Sequence, residues 1–156
     1  MVDRKDWAGW LEGPRKSLES QGIELGYPGE RLGLPQEGPG SIARFGRRIA
    51  ALMVDWFSAL LIATAISNVS TLRVELNVLT LIVFLGHTAI FIAIFGSSFG
   101  HKLFRIEVKS LSGKRINLLQ SVARQLMICL VVPAVIYDRD QRGLHDKALK
   151  LVATRV

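Results

Sequence analysis

The stretch from Arg44 to Ile66, RFGRRIAALMVDWFSALLIATAI, decides how the chain is read. From Ile49 to Ile66 its apolar side chains are interrupted by Asp55 and by small hydroxyls. These 18 residues rise about 27 Å as a helix, close to the thickness of a hydrocarbon core. Arg44, Arg47 and Arg48 stand at the front, and the positive-inside rule places that end in the cytoplasm. A carboxylate inside such a segment costs about 2.5–3.5 kcal/mol on insertion scales. The rest of the chain therefore has to supply Asp55 with partners.

Outward from this segment, Ser67 to Glu75 form a charge-poor connection that suits the outer face. Leu76 to Phe95 then make a second span with Asn77 and His87 but no formal charge. The following GSSFGHKLFRIEVKSLSGKR carries Lys102, Arg105, Lys109, Lys114 and Arg115 against one Glu, which reads as cytoplasmic. Within it Leu103 to Val108 alternates apolar with charged, and Ser112-Gly113 is a turn signal, so a short β-hairpin is expected. Ile116 to Tyr137 forms a third hydrophobic segment, interrupted by Gln120, Arg124 and Gln125 and holding Pro133. Its clean part, Leu126 to Tyr137, is too short to span alone and suits a kinked or re-entrant element. The expected fold class is an all-α membrane protein of two to three transmembrane helices, with a cytoplasmic β-hairpin and an extended N-terminal tail.

Composition agrees. Of 156 residues, 49% are apolar and the formal net charge is +7. Residues 1–43 carry five basic and seven acidic side chains, a net of −2; residues 44–156 carry fifteen and six, a net of +9. The basic excess thus belongs to the membrane part, where it reads as topology and contact with anionic lipid headgroups. Nucleic acid is the weaker reading, because no basic run is interleaved with aromatics. Cys129 is the sole cysteine, so neither an intrachain disulfide nor a cysteine metal site can form. The first forty residues hold no apolar signal-peptide core.

Residues 1–43 contain eight of the fourteen glycines and four of the five prolines. A short amphipathic helix is possible from Asp6 to Leu18; the remainder reads as extended, turn-rich chain. One reading is a disordered cytoplasmic tail. The other is a tail draped over a partner subunit, with Trp7, Trp10 and Tyr27 as partner-binding anchors of the kind that dominate interface energetics.

Three polar groups fall at one helical depth. Asp55 lies about 10 Å past Arg48 and shares its helix face; His87 and Arg124 each lie about 12 Å from the cytoplasmic ends of their segments. Facing one another, they would pair. The cluster is a proton or ion relay, a small-solute site, or a structural ion pair that fixes helix register. Near the end, DRDQRGLHDKA packs Asp138, Asp140, His145 and Asp146 among basic residues. Asp140, His145 and Asp146 could in principle bind a metal, but no recognised metal-ligand spacing is present, and pairing of these charges with one another and with the basic 96–115 loop is the stronger reading. Ser97, Ser98 and His101 match neither a P-loop nor a nucleophile elbow. The sequence points to no catalytic site, cofactor or metal, and the protein is expected not to be an enzyme.

These features together resemble the RDD family of small bacterial membrane proteins. The resemblance covers about residues 44–156. It rests on RRIAALMVD with Arg48 and Asp55, on SSFGHKLFRIEV, on Arg124, and on RGLHDKA with Asp146 as the second aspartate. MICLVVPAVIYDRDQRGLHD is similar to actinobacterial members. Two departures stand out: Lys150-Leu151 replaces a usual Gly-Thr before the final strand, and Arg105 stands where a glycine is common. The resemblance implies either a small ion or solute transporter or a non-catalytic accessory subunit of a larger inner-membrane complex. The respiratory cytochrome bcc–oxidase supercomplex is the leading candidate partner. On this reading residues 1–43 are a cytoplasmic tail, and residues 44–156 are the membrane domain with spans near 49–66, 76–95 and 116–137. In the alternative, Asp55 and His87 are the titrating pair of a transporter.

Overall fold

The computed structural model describes residues 26–71, 73–112, 115–130, 138 and 140–156. Two long helices lead: α1, Phe45–Val69, and α2, Leu76–Phe95. Both are long and apolar enough to cross a membrane. The span expected over 49–66 is extended at both ends, because nothing in Phe45–Arg48 or Ser67–Val69 breaks the helix. The second span begins and ends where its apolar run does. Gly96 closes α2 at φ 71°, a left-handed cap whose N–H bonds to the Ile92 carbonyl at 2.8 Å.

The two helices pack along four-residue rows. Ala51, Asp55, Ala59 and Ala63 are the buried row of α1 beyond Arg48. Thr80, Phe84, Thr88 and Ile92 form the matching row of α2. Small residues let the backbones approach closely, and the Trp56 ring meets Phe84 edge-on at 5.6 Å. Outside these rows the pattern is inside-out. Asp55 is 1% exposed and Leu61 73%, and Phe57, Ile82 and Ile94 also face outward.

After α2 come a single-turn helix α3, Phe99–Leu103; strand β1, Ile106–Ser110; helix α4, Leu118–Cys129; helix α5, Leu144–Ala148; and strand β2, Leu151–Arg155. β1 pairs antiparallel with β2, Ile106 opposite Arg155 and Ser110 opposite Leu151. The expected local hairpin is therefore corrected: the alternation in 106–108 marks a real strand, but its partner lies some forty residues on. β2 is flanked on its other side by the residues entering α1. Ala43 N–H bonds to the Ala153 carbonyl at 2.9 Å, and Arg155 N–H to the Ser41 carbonyl at 2.8 Å. The end of the chain thus lies at the Arg44 end of the helix pair. Ala43, Ala51, Ile92, Ile106, Val108, Ile116, Leu151 and Ala153 form the apolar core there.

α4 opens on a capping box in which the Asn117 side chain accepts from Gln120 N–H and Gln120 answers Asn117 N–H. It turns Ser121, Arg124 and Gln125 inward and Leu118, Leu119 and Leu126 outward. Twelve residues long, it is well short of a span. The rest of the third hydrophobic segment, with Pro133, lies outside the described residues, as do Trp7, Trp10 and the possible helix over 6–18. Tyr27 is half-buried at the start of a turn-rich segment that includes the 3-10 turn Glu30–Leu32.

Candidate functional site

Two buried aspartates organise the polar interior at the Arg44 end of the helices. Asp146, on α5, is wholly buried. Arg124 Nε donates to its Oδ1 at 2.7 Å and Arg48 Nη1 to its Oδ2 at 2.9 Å. Each arginine spends its remaining donors locally. Arg48 Nε bonds to the Ala43 carbonyl at 3.0 Å and Nη2 to the Ala153 carbonyl at 3.4 Å. Arg124 Nη1 bonds to Gln125 Oε1 at 3.1 Å. Gln125 Nε2 in turn donates to Thr88 Oγ1, and Thr88 to the Phe84 carbonyl. Burial alone would raise the Asp146 carboxyl, but the charges of Arg124 and Arg48 overcome it and hold the group well below the usual carboxylate range. His145 Nε2 lies 3.5 Å from Asp146 Oδ1.

Asp55, on α1, is held differently. Ser98 Oγ donates to its Oδ2 at 2.5 Å and Gly100 N–H to its Oδ1 at 2.7 Å. His101 Nδ1 lies 2.5 Å from Ser98 Oγ and 3.5 Å from Asp55 Oδ2. Ser98 caps α3 through His101 N–H at 3.2 Å. Gly100 is required by the approach itself, since a Cβ there would collide with the Ala51 carbonyl of α1 and stand 3.0 Å from Asp55 Cγ. His101 is pushed below the ordinary histidine value chiefly by burial; the Asp55 hydrogen bond and charge oppose the shift, and the Arg124 and Arg48 charges add to it. A neutral imidazole with Nδ1–H toward Ser98 fits these contacts.

The expectation that Asp55, His87 and Arg124 face one another is corrected. The structure brings Arg48, Arg124 and Asp146 together, and Asp55 with Ser98 and His101. His87 belongs to neither set. Its Nδ1 is 2.9 Å from the Val83 carbonyl, its ring lies between Phe84 and Phe91 at 6.3 and 6.4 Å, and its buried Nε2 has no partner among the described residues. Depth placed His87 at the right level, but azimuth decides contact. The buried row of α2 runs through Thr88, and a residue one position off it points about 100° away. Arg48 shares a helix face with Asp55, yet its charge is taken by Asp146.

The sequence assigns no place in the cluster to Ser98, Gly100, His101, Thr88 or Gln125; Ser98 and His101 enter only as matching no catalytic motif, and Gln125 only as an interruption of the third segment. A signal existed for the first three: a serine two residues before a glycine, just after a helix-ending glycine, is an N-cap set to offer backbone N–H groups to an acid. Asp140, His145 and Asp146 do not gather; no group of three acids, histidines or cysteines that could hold a metal occurs among the described residues. Asp138 instead accepts from Asp140 N–H at 3.0 Å and Arg142 N–H at 2.9 Å and pairs with the Arg142 side chain, which shapes the turn into α5.

No curated protein and no solved structure matches the chain. The RDD family profile matches residues 42–150, a range that takes in every side chain bonded to either aspartate. With Arg48, Asp55, Arg124 and Asp146 all inside the match and all at the centre of the polar core, the chain belongs to the membrane-associated RDD family.

Proposed function

We infer that the protein is a multi-pass inner-membrane protein, N-terminus in the cytoplasm, acting as a non-catalytic accessory subunit of a larger membrane complex. One observation carries this reading: the buried aspartates and arginines are bonded to one another and to polar neighbours across α1, α3, α4 and α5, with Gln125 tied to Thr88 of α2, while large apolar side chains face outward. Such a molecule is a braced scaffold whose recognition surfaces are its outer helix faces. The basic start of α1 supports the orientation, and the inside-out burial supports insertion. A respiratory complex, with the bcc–oxidase supercomplex first, is the leading partner on the likeness of residues 127–146 to actinobacterial members, and residues 1–43 supply further anchors. Gentle-detergent purification of the tagged protein with mass spectrometry of co-purifying chains tests it. Stoichiometric complex subunits, lost when residues 1–43 are deleted, are expected; a protein that purifies alone overturns the reading.

A second reading, an ion or solute transporter, is favoured by one feature. Asp55 is bonded by a hydroxyl and an amide, with the His101 imidazole 3.5 Å away and no arginine or lysine side chain bonded to it among the described residues. The titrating pair would then be Asp55 with His101 in place of His87. A flux in reconstituted vesicles that disappears in Asp55→Asn, with assembly retained, would move the assignment there.

A further inference from the structure

A cleft of about 710 Å³ opens beside the start of α1. Gly46, Arg47, Leu103, Phe104, Arg105 and Arg155 are among its lining residues. We propose that this cleft binds an anionic phospholipid, its phosphate held by Arg105 and Arg155 and its chains leaving along Leu103. The inference rests on the membrane reading above and names a ligand for it.

Four observations converge. First, three arginines are among the residues that line one cleft, and none of them has a carboxylate salt bridge among the described residues. Arg47 is steadied by donating to the Phe104 carbonyl at 2.9 Å, which leaves Arg105 and Arg155 for a ligand. Arginine forks suit phosphate oxygens geometrically. Second, the cleft is amphiphilic: Leu103, 64% exposed, and Phe104 join the arginines. A free phosphate would have no use for them. Third, the level is right. α1 has 25 residues, about 37 Å, so its first turns overrun a hydrocarbon core of about 30 Å and stand in the headgroup layer. Fourth, the cleft is kept open and armed at local cost. Gly46 leaves its floor clear, with nothing within 4 Å of where a Cβ would be. Arg105 holds a left-handed φ of 52°, a conformation that glycine adopts freely and a branched-backbone clash penalises.

The strain supplies the decisive variant. Arg105→Gly relieves the backbone and removes the charge together, so loss of lipid cannot be ascribed to misfolding. Gly46→Leu fills the cleft from an open helical position and leaves every arginine in place. Each protein would be reconstituted in phosphatidylcholine nanodiscs containing a minor fraction of phosphatidylglycerol, and retained lipid read by native mass spectrometry. The parent is expected to retain phosphatidylglycerol over phosphatidylcholine. Arg105→Gly should lower that retention roughly tenfold, the loss of one charge-assisted contact, and Gly46→Leu should lower it by blocking the cleft with every arginine still present. Equal retention by the variants, or no preference in the parent, overturns the proposal. Inorganic phosphate that competes as well as the lipid overturns it in favour of a soluble anion. A parent protein that never enters the nanodisc instead breaks the membrane reading.

Discussion

Asp146 and Asp55 are both buried carboxylates in one polar core, yet they are solvated by opposite means. Two permanent cations grip Asp146, and those cations are themselves buried, at 8% and 3% exposure. Asp55 rests on a hydroxyl, a backbone amide and an imidazole that burial keeps neutral. The first arrangement is a lock: removing either sign leaves uncompensated charge in a low dielectric. The second is a seat that neutral groups can fill. One core thus combines a part that must stay charged with a part that tolerates a change of charge.

Breaking this contrast starts at the lock. Asp146→Asn should cost about 3–5 kcal/mol, because Arg48 and Arg124 lose their shared countercharge, and thermal unfolding in detergent measures it. Replacing all three members by apolar residues of similar volume should recover most of that loss. Asp55→Asn should cost less, about 1–3 kcal/mol, since the amide still accepts one of the two donors; equal losses at the two sites would erase the distinction. The pH profile sharpens it further. His101 in the folded chain titrates below its ordinary value, so the unfolded chain takes up a proton first as pH falls. Stability should be flat above about pH 6.5 and decline below it by up to about 1.4 kcal/mol per unit, until the folded value is reached. His101→Gln should remove that slope. Asp146 works in a lower window: its stabilisation is present above the ordinary carboxylate value and is lost only as pH falls through a folded value well beneath it. The smallest effect is a gain. Lys150 has φ 55° just after α5 and before β2, and Lys150→Gly should stabilise the side that holds Asp146 by about 1 kcal/mol, leaving the Asp55 side unchanged.

Much of the architecture was legible because it is written in runs. The Leu76–Phe95 span can be bounded by eye, and the arginines before Ile49 mark the helix entrance. Even the strained turns left a trace: Arg105 and Lys150, the two departures from the family's usual glycines, are both left-handed in the structure. They sit one residue past the C-caps of α3 and α5, where glycine is favoured for its missing Cβ. What could not be read was pairing. Depth along a helix follows from counting, but rotation about its axis depends on which neighbour it packs against, and so the histidine beside Asp55 is His101 and not His87. β1 was visible as alternation, whereas its partner was not, since nothing local encodes a register closed across the whole of α4 and α5.

The Arg48–Asp146 bond joins residues 98 positions apart, and that separation sets an order of events during synthesis. At about 5–20 residues per second, roughly 5–20 s pass between emergence of the arginine and emergence of its acid. Throughout that interval the first helix carries a cation with no mate. A chain that stops short of Asp146 therefore keeps an unneutralised guanidinium at the helix entrance, a chemical difference between an unfinished copy and a finished one.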